Sequence, residues 1–91
     1  MAYVLSVFKV DDFDAWKQLF DSDPGGREET GKGHRLFRAV DDPNLVFISS
    51  EYDSADDAKA FIERLKGAGV LDQMDVQQAP TVAELVEDKR Y

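Results

Sequence analysis

The first hydrophobic segment of the chain, residues 3–8, is apolar at both odd and even positions. A strand that is covered on both faces has this pattern. We therefore predict a central β-strand here. The odd positions are Tyr3, Leu5 and Val7, and the even positions are Val4, Ser6 and Phe8.

A helix is predicted next, because apolar residues recur at spacings of three and four between Phe13 and Phe20. Asp11 or Asp12 is expected to cap its start, and the segment 23–26, Asp-Pro-Gly-Gly, to end it. Residues 27–33 are polar and glycine-rich without a period. They are predicted to form a surface loop, with room for a short helical turn, at the mouth of a pocket.

The middle of the chain predicts a β-hairpin. Residues 34–40 alternate in polarity, a second run covers 45–52, and the turn-forming segment Asp42-Pro43-Asn44 lies between them. Ser54, followed by Asp57, is expected to cap a second helix that ends at a glycine, Gly67.

A last strand is predicted over residues 76–86, with a bulge or break near Pro80, and residues 87–91 are expected to be a solvated tail. The element order is then β-α-β-β-α-β, that of the ferredoxin-like α+β fold, in which an antiparallel sheet carries two helices on one face. We expect a single domain over residues 1–91. Because two helices cover only one face, the apolar positions on the other face predict a symmetric homodimer packed sheet to sheet.

Composition and charge narrow the range of partners. The chain has 19 acidic and 11 basic residues and a net charge of -8, which repels phosphate backbones and anionic lipid headgroups. Nucleic acid and membranes are therefore not expected as partners. The absence of cysteine excludes disulfides and thiolate metal sites. Neither a signal peptide nor an apolar run of membrane-spanning length is found, so the cytoplasm is the expected compartment.

Three segments resemble those of small bacterial dimeric α/β-barrel proteins, the group of antibiotic-biosynthesis monooxygenases and polyketide cyclases. They are residues 10–16, residues 38–44 with the strand that follows, and residues 54–61. The resemblance spans about residues 4–86. It implies a homodimer whose two sheets form a barrel, with a ligand cavity in each subunit between sheet and helices. Members range from cofactor-independent oxygenases and cyclases to proteins without an assigned activity, so no cofactor is implied and no catalytic set is carried over.

Candidate site residues come from the helix faces and the strands. His34, the one histidine, follows the glycine-rich loop and is the candidate general base; the alternative is an ordinary edge-strand residue. Trp16 lies on an apolar helix stripe with Phe13 and Phe20, and such stripes are more often part of a core than of a cofactor site. If a cavity lies between helices and sheet, Trp16, Phe20 and Phe61 are expected to line it. Polar anchors for a flat, partly oxygenated aromatic ligand are expected among four residues, and strand register decides which of them face inward. These are Tyr3, Ser6, Arg38 and Tyr52.

No metal site is expected, because a lone histidine and scattered carboxylates have no ligand spacing. Two functions stay open. One is a small-molecule monooxygenase or cyclase acting on an aromatic or polyketide-like compound, which a cavity with converging polar groups would favour. The other is a non-catalytic dimeric binding or accessory module, which a filled core would favour.

Overall fold

A computed structural model describes the backbone of residues 1–91 and the side chains of all of them but Gln73. Its four strands form one antiparallel sheet in the spatial order second, third, first, fourth. The first strand is therefore central, as predicted, and the third strand is its central neighbour. The ferredoxin-like α+β fold is thereby confirmed. The elements are β1 (Ala2–Lys9), α1 (Phe13–Asp21), α2 (Arg27–Thr30), β2 (Gly31–Arg38), β3 (Leu45–Tyr52), α3 (Ala55–Gly67), a short 3-10 helix (Leu71–Gln73) and β4 (Asp75–Glu84).

The two central strands present apolar side chains to both faces of the sheet. Val4 and Val46 are buried beneath the helices, whereas Leu5 and Phe47 lie on the opposite face and are 43% and 38% exposed. Pairing of β1 with β3 joins residues of equal parity, so even positions of both strands share one face and odd positions the other. We call the odd-numbered side the open face, because no helix of the described chain covers it. No described helix has the length and apolar character to cross a membrane.

Helices α1 and α3 cover two halves of the even face and divide the core into two clusters. Trp16 and Phe20 of α1 pack with Phe8 and Val46, whereas Phe61 and three other residues of α3 pack with Ala2, Val4 and Tyr52. Trp16 and Phe20 belong to the helix stripe predicted from the sequence. Ser6 and Ser50 are also buried, and Ser6 lies in β1 between Val4 of one cluster and Phe8 of the other. The two clusters therefore meet at the buried serines of the central strands.

The two long helices begin differently. At α3, the Ser54 hydroxyl accepts a hydrogen bond from the Asp57 amide at 3.1 Å, which confirms the predicted cap. At α1, Asp12 occupies the N-cap position with extended backbone, but its side chain makes no capping hydrogen bond. The expected aspartate cap is therefore present in position only.

Strand β2 differs from its predicted span. It begins at Gly31 rather than His34 and ends at Arg38, leaving Val40 in the turn with 99% of its surface exposed. The pairing with β3 shifts by one residue between Gly31 and Gly33. This bulge brings the glycine-rich segment into the sheet, although the polar composition of the segment predicts a loop.

Strand β4 is bulged near Pro80, as predicted, and ends at Glu84. Its pairing with β1 shifts twice, between the partners of Leu5 and Val7 and between those of Val7 and Phe8. Leu85 and Val86 follow the strand and are 57% and 89% exposed, so the predicted end at residue 86 was two residues too late. The predicted strand was too long because Leu85 and Val86 are apolar. In the structure β1 begins at Ala2, which pairs with Glu84, so β1 offers no partner to the residues that follow.

Candidate functional site

A small cavity lies between the sheet and the helices, where the two core clusters meet. Its volume is about 50 Å³. That is space for a few water molecules and much less than the several hundred Å³ of a typical small-molecule site. Ser6, Ser50 and Arg27 bring polar groups to a lining that is otherwise largely apolar. The cavity is thus a small apolar space with three polar side chains along its wall.

Four of the predicted site residues line this cavity together. Trp16 and Phe20 project from α1, Phe61 from α3 and Ser6 from β1. Tyr52 lies outside the lining but is fully buried, and its hydroxyl accepts a hydrogen bond from the cavity residue Ser50 at 3.3 Å. Burial raises the pKa of Tyr52, which keeps its phenol protonated.

Besides Tyr52, two other predicted polar anchors, Tyr3 and Arg38, lie outside the cavity lining. Tyr3 is at an odd position of β1, so the sheet register places it on the open face, away from the helices. Arg38 ends β2 with its side chain exposed, and its guanidinium carbon lies 4.6 Å from the centre of the Phe13 ring. Arg38 therefore packs on the start of α1 and does not line the cavity.

His34 lies next to the cavity without lining it. Its ring meets the Phe20 ring edge-on, with the centroids 5.1 Å apart. Desolvation, followed by the positive charges of Arg27 and Lys17, lowers the pKa of His34 below 6.5. The imidazole is therefore mainly neutral at pH 7, the state that a general base needs, but the Phe20 ring separates it from the cavity.

Arg27 is a charged cavity residue that was not predicted from the sequence. It was assigned to a surface loop, yet only 5% of it is exposed. Its guanidinium carbon lies 3.8 Å from the centre of the Phe20 ring, and its Nη2 donates to the Phe20 carbonyl at 3.5 Å. The nearest carboxylate oxygen, Oδ1 of Asp23, is 3.6 Å from Nη2, and Nε has no hydrogen-bond partner.

The burial of Arg27 comes from the way α3 holds the loop before α2. Arg64 donates to the Gly25 carbonyl at 2.7 Å and to the Thr30 hydroxyl at 3.2 Å. Gly25 has a positive φ, and a Cβ there would lie 3.2 Å from the Phe61 ring. These contacts join residues 34 to 39 positions apart in the chain, so no local sequence pattern marks Arg27 as buried.

Comparison with solved structures identifies the same architecture in a crystal structure described as an antibiotic biosynthesis monooxygenase. The alignment covers 98% of this chain and 100% of that chain, with a TM-score of 0.67 and 15% sequence identity. The chain shares the fold of that protein. The resemblance inferred from the sequence is thereby confirmed for the fold, and at this identity it assigns no residue a role. No protein-family model matches the chain, and no curated protein matches it.

The described side chains include no group of three or more histidine or acidic residues placed to hold a metal ion. The hydroxyl and charged groups among the described residues of the cavity lining are two serine hydroxyls and one guanidinium. These groups can orient an oxygenated ligand and stabilise negative charge on it. None of the three is an ordinary proton acceptor at neutral pH.

Proposed function

We propose that this protein binds a small, partly oxygenated aromatic molecule between its sheet and helices, and that monooxygenase or cyclase chemistry is the activity to test. The observation that supports the proposal most directly is the cavity lined by Trp16, Phe20 and Phe61, with the hydroxyls of Ser6 and Ser50 on its wall. Aromatic rings with a few convergent polar groups are typical of sites for flat ligands. The shared fold with an antibiotic biosynthesis monooxygenase is consistent with this class.

Binding requires the cavity to widen, because a free volume of about 50 Å³ is smaller than a benzene derivative needs. Two lining residues are suited to make room. Leu19 is 39% exposed, and Met74 has an unbranched, flexible side chain. A ligand therefore enters by displacing Leu19 and Met74 rather than by separating the strands, whose backbone is held by the sheet.

The proposed base is His34, acting at the rim of the cavity. Its lowered pKa keeps it neutral, so it can accept a proton from a ligand hydroxyl. The ring of Phe20 lies between His34 and the cavity. Proton transfer therefore requires Phe20 to turn aside or the ligand to reach past its edge.

We propose that the protein acts as a homodimer that packs through the open face. Leu5, Phe37 and Phe47 are exposed there at 43%, 55% and 38%, and the sheet register places all three on this side. Arg35 borders the same depression as the carboxylates of Glu51, Glu84, Glu87 and Asp88. A two-fold axis lets the guanidinium of one copy meet a carboxylate of the other.

The alternative function is a non-catalytic binding or accessory module built on the same dimer. The small volume of the cavity favours it, since a core filled by its own side chains leaves the outer surface to carry the function. The two proposals differ in whether a molecule occupies the interior.

Native mass spectrometry of gently purified protein tests both parts of the proposal. We expect the mass of a dimer with a reproducible organic adduct. Ser6→Leu, which fills the cavity, should lose the adduct and keep the dimer, whereas Ser22→Leu at the exposed end of α1 should keep both. A dimer without any adduct favours the accessory module, and a monomer contradicts packing through the open face.

A further inference from the structure

The guanidinium of Arg27 is buried but poorly satisfied. It can donate five hydrogen bonds, and among the described residues it makes one, to the Phe20 carbonyl at 3.5 Å. Asp23 Oδ1 is 3.6 Å from Nη2, which is an ion pair without a hydrogen bond, and Asp23 Oδ2 accepts from the Glu28 amide. A buried donor without a partner is costly, so the unpartnered Nε requires an explanation.

The residue that carries the unsatisfied donor lines the cavity. Arg27 borders the same space as Ser6 and Ser50, and its buried Nε has no hydrogen-bond partner among the described side chains. One face of the guanidinium is already covered by the Phe20 ring, whose centre lies 3.8 Å from the guanidinium carbon. The group is therefore held in place with hydrogen-bonding capacity left over, which is the condition for a preorganised recognition group.

The geometry of the donor selects the chemistry of its partner. A guanidinium presents parallel N–H groups in a plane, and a planar carboxylate accepts two of them at once. A neutral carbonyl accepts more weakly than a carboxylate does. The aromatic walls formed by Trp16 and Phe61 suit a flat ligand body.

We propose that Arg27 is the anion-recognition residue of this cavity and that its ligand carries a carboxylate on a flat, unsaturated body. The inference rests on the proposed binding function and names its substrate class. Asp23 then serves as a positioning residue, which holds the guanidinium from the side of the α1–α2 connection.

Benzoate and benzamide form a matched pair of probes, because they differ in charge and hardly in shape. Trp16 is the one tryptophan of the chain and lines the cavity, so its fluorescence reports occupancy. We expect benzoate to bind wild-type protein about tenfold more tightly than benzamide, the difference that one charge-assisted pair supplies. Arg27→Met should weaken benzoate about tenfold and leave benzamide unchanged. Arg90→Met in the exposed tail should change neither.

The outcomes separate this inference from the binding function itself. Benzamide binding as tightly as benzoate overturns carboxylate recognition and leaves the cavity function intact, as does an Arg27→Met variant that keeps full affinity for benzoate. Failure of both probes to change Trp16 fluorescence at millimolar concentration overturns both proposals. Circular dichroism establishes that Arg27→Met is folded, and if it is not, the benzoate-to-benzamide ratio of the wild type decides alone.

Discussion

The indole nitrogen of Trp16 donates a hydrogen bond to the sulfur of Met74 at 3.2 Å, and this bond ties α1 to the segment that precedes β4. Met74→Leu keeps a side chain of similar volume but removes the acceptor. Because Trp16 is only 8% exposed, its N–H then lacks a partner, and we expect the free energy of unfolding to fall by about 1 kcal/mol. Urea denaturation followed by Trp16 fluorescence measures the change. Val40→Leu at a 99% exposed position is the control, and equal midpoints for the two variants contradict the prediction.

Replacing Phe47 by aspartate should convert the proposed dimer to a folded monomer. Phe47 lies on the open face, where a charge opposes packing against a second copy. Val40→Asp is the matched control, because Val40 is 99% exposed in the turn between β2 and β3. Light scattering coupled to size-exclusion chromatography gives the mass of each variant.

Ile48, the neighbour of Phe47 in β3, is expected to respond differently. It lines the cavity on the helix side, so Ile48→Asp places a charge in the core and should unfold the chain. A dimeric Phe47→Asp variant would contradict association through the open face.

Two glycines of the same strand should differ sharply in their tolerance of alanine. A Cβ at Gly31 would lie 2.7 Å from the carbonyl oxygen of Arg27, whereas a Cβ at Gly33 meets nothing within 4 Å. We expect Gly31→Ala to destabilise the protein by about 1–3 kcal/mol, because backbone must move to admit the methyl group. Gly33→Ala should be neutral or slightly stabilising, since alanine restricts the unfolded chain. Thermal melts of the two variants provide the comparison, and equal melting temperatures would show that the α2–β2 junction is not tightly packed.

The helix caps predict unequal effects for two alanine substitutions. Ser54→Ala removes the side-chain acceptor for the Asp57 amide and should cost about 1 kcal/mol. Asp12→Ala removes a side chain that makes no capping hydrogen bond, so its effect should be clearly smaller. Chemical denaturation of both variants measures the difference, and a larger loss for Asp12→Ala would reverse the assignment of the caps.

His34 should make the protein less stable in mild acid. Desolvation and the charge of Arg27 lower the pKa of His34 in the folded state below 6.5, so the unfolded chain binds the proton more readily. The resulting stability is fully present above pH 6.5 and is lost as the pH falls through the folded-state pKa. NMR titration of the imidazole should give a value below 6.5, and Arg27→Met should raise it. His34→Gln should remove this part of the pH dependence, whereas a titration midpoint at or above 6.5 contradicts the prediction.

The parts of the fold that could be predicted are those that depend on local periodicity. The spacing of Trp16 and Phe20 identified the buried side of α1, and the two apolar faces of residues 3–8 identified a central strand. Odd and even positions of a strand lie on opposite faces of the sheet. The strand register is needed to decide which of the two sets faces the helices. For this reason Ser6 could be proposed for the cavity and Tyr3 could not be excluded until the pairing was known.

The remainder of the site depends on contacts between distant parts of the chain. Arg27 follows two glycines in a polar segment, and such a composition is typical of a solvated loop. Arg64 of α3 holds this segment by hydrogen bonds to the Gly25 carbonyl and to the Thr30 hydroxyl at the end of α2. Likewise, Gly31 joins a strand because a bulge accommodates the residue between it and Gly33. Neither arrangement leaves a trace in the local sequence.

The double bulge of β4 restricts how the length of this strand can change. Each of its two register shifts adds one residue to β4, so together they restore the alternation, and Val76 and Val82 pair with Phe8 and Val4 of the helix side. Deleting one residue between the two valines would invert one end of the strand and transfer its apolar side chains to the wrong face. Deleting two would preserve the alternation. Natural length variation in this strand should therefore occur in steps of two residues.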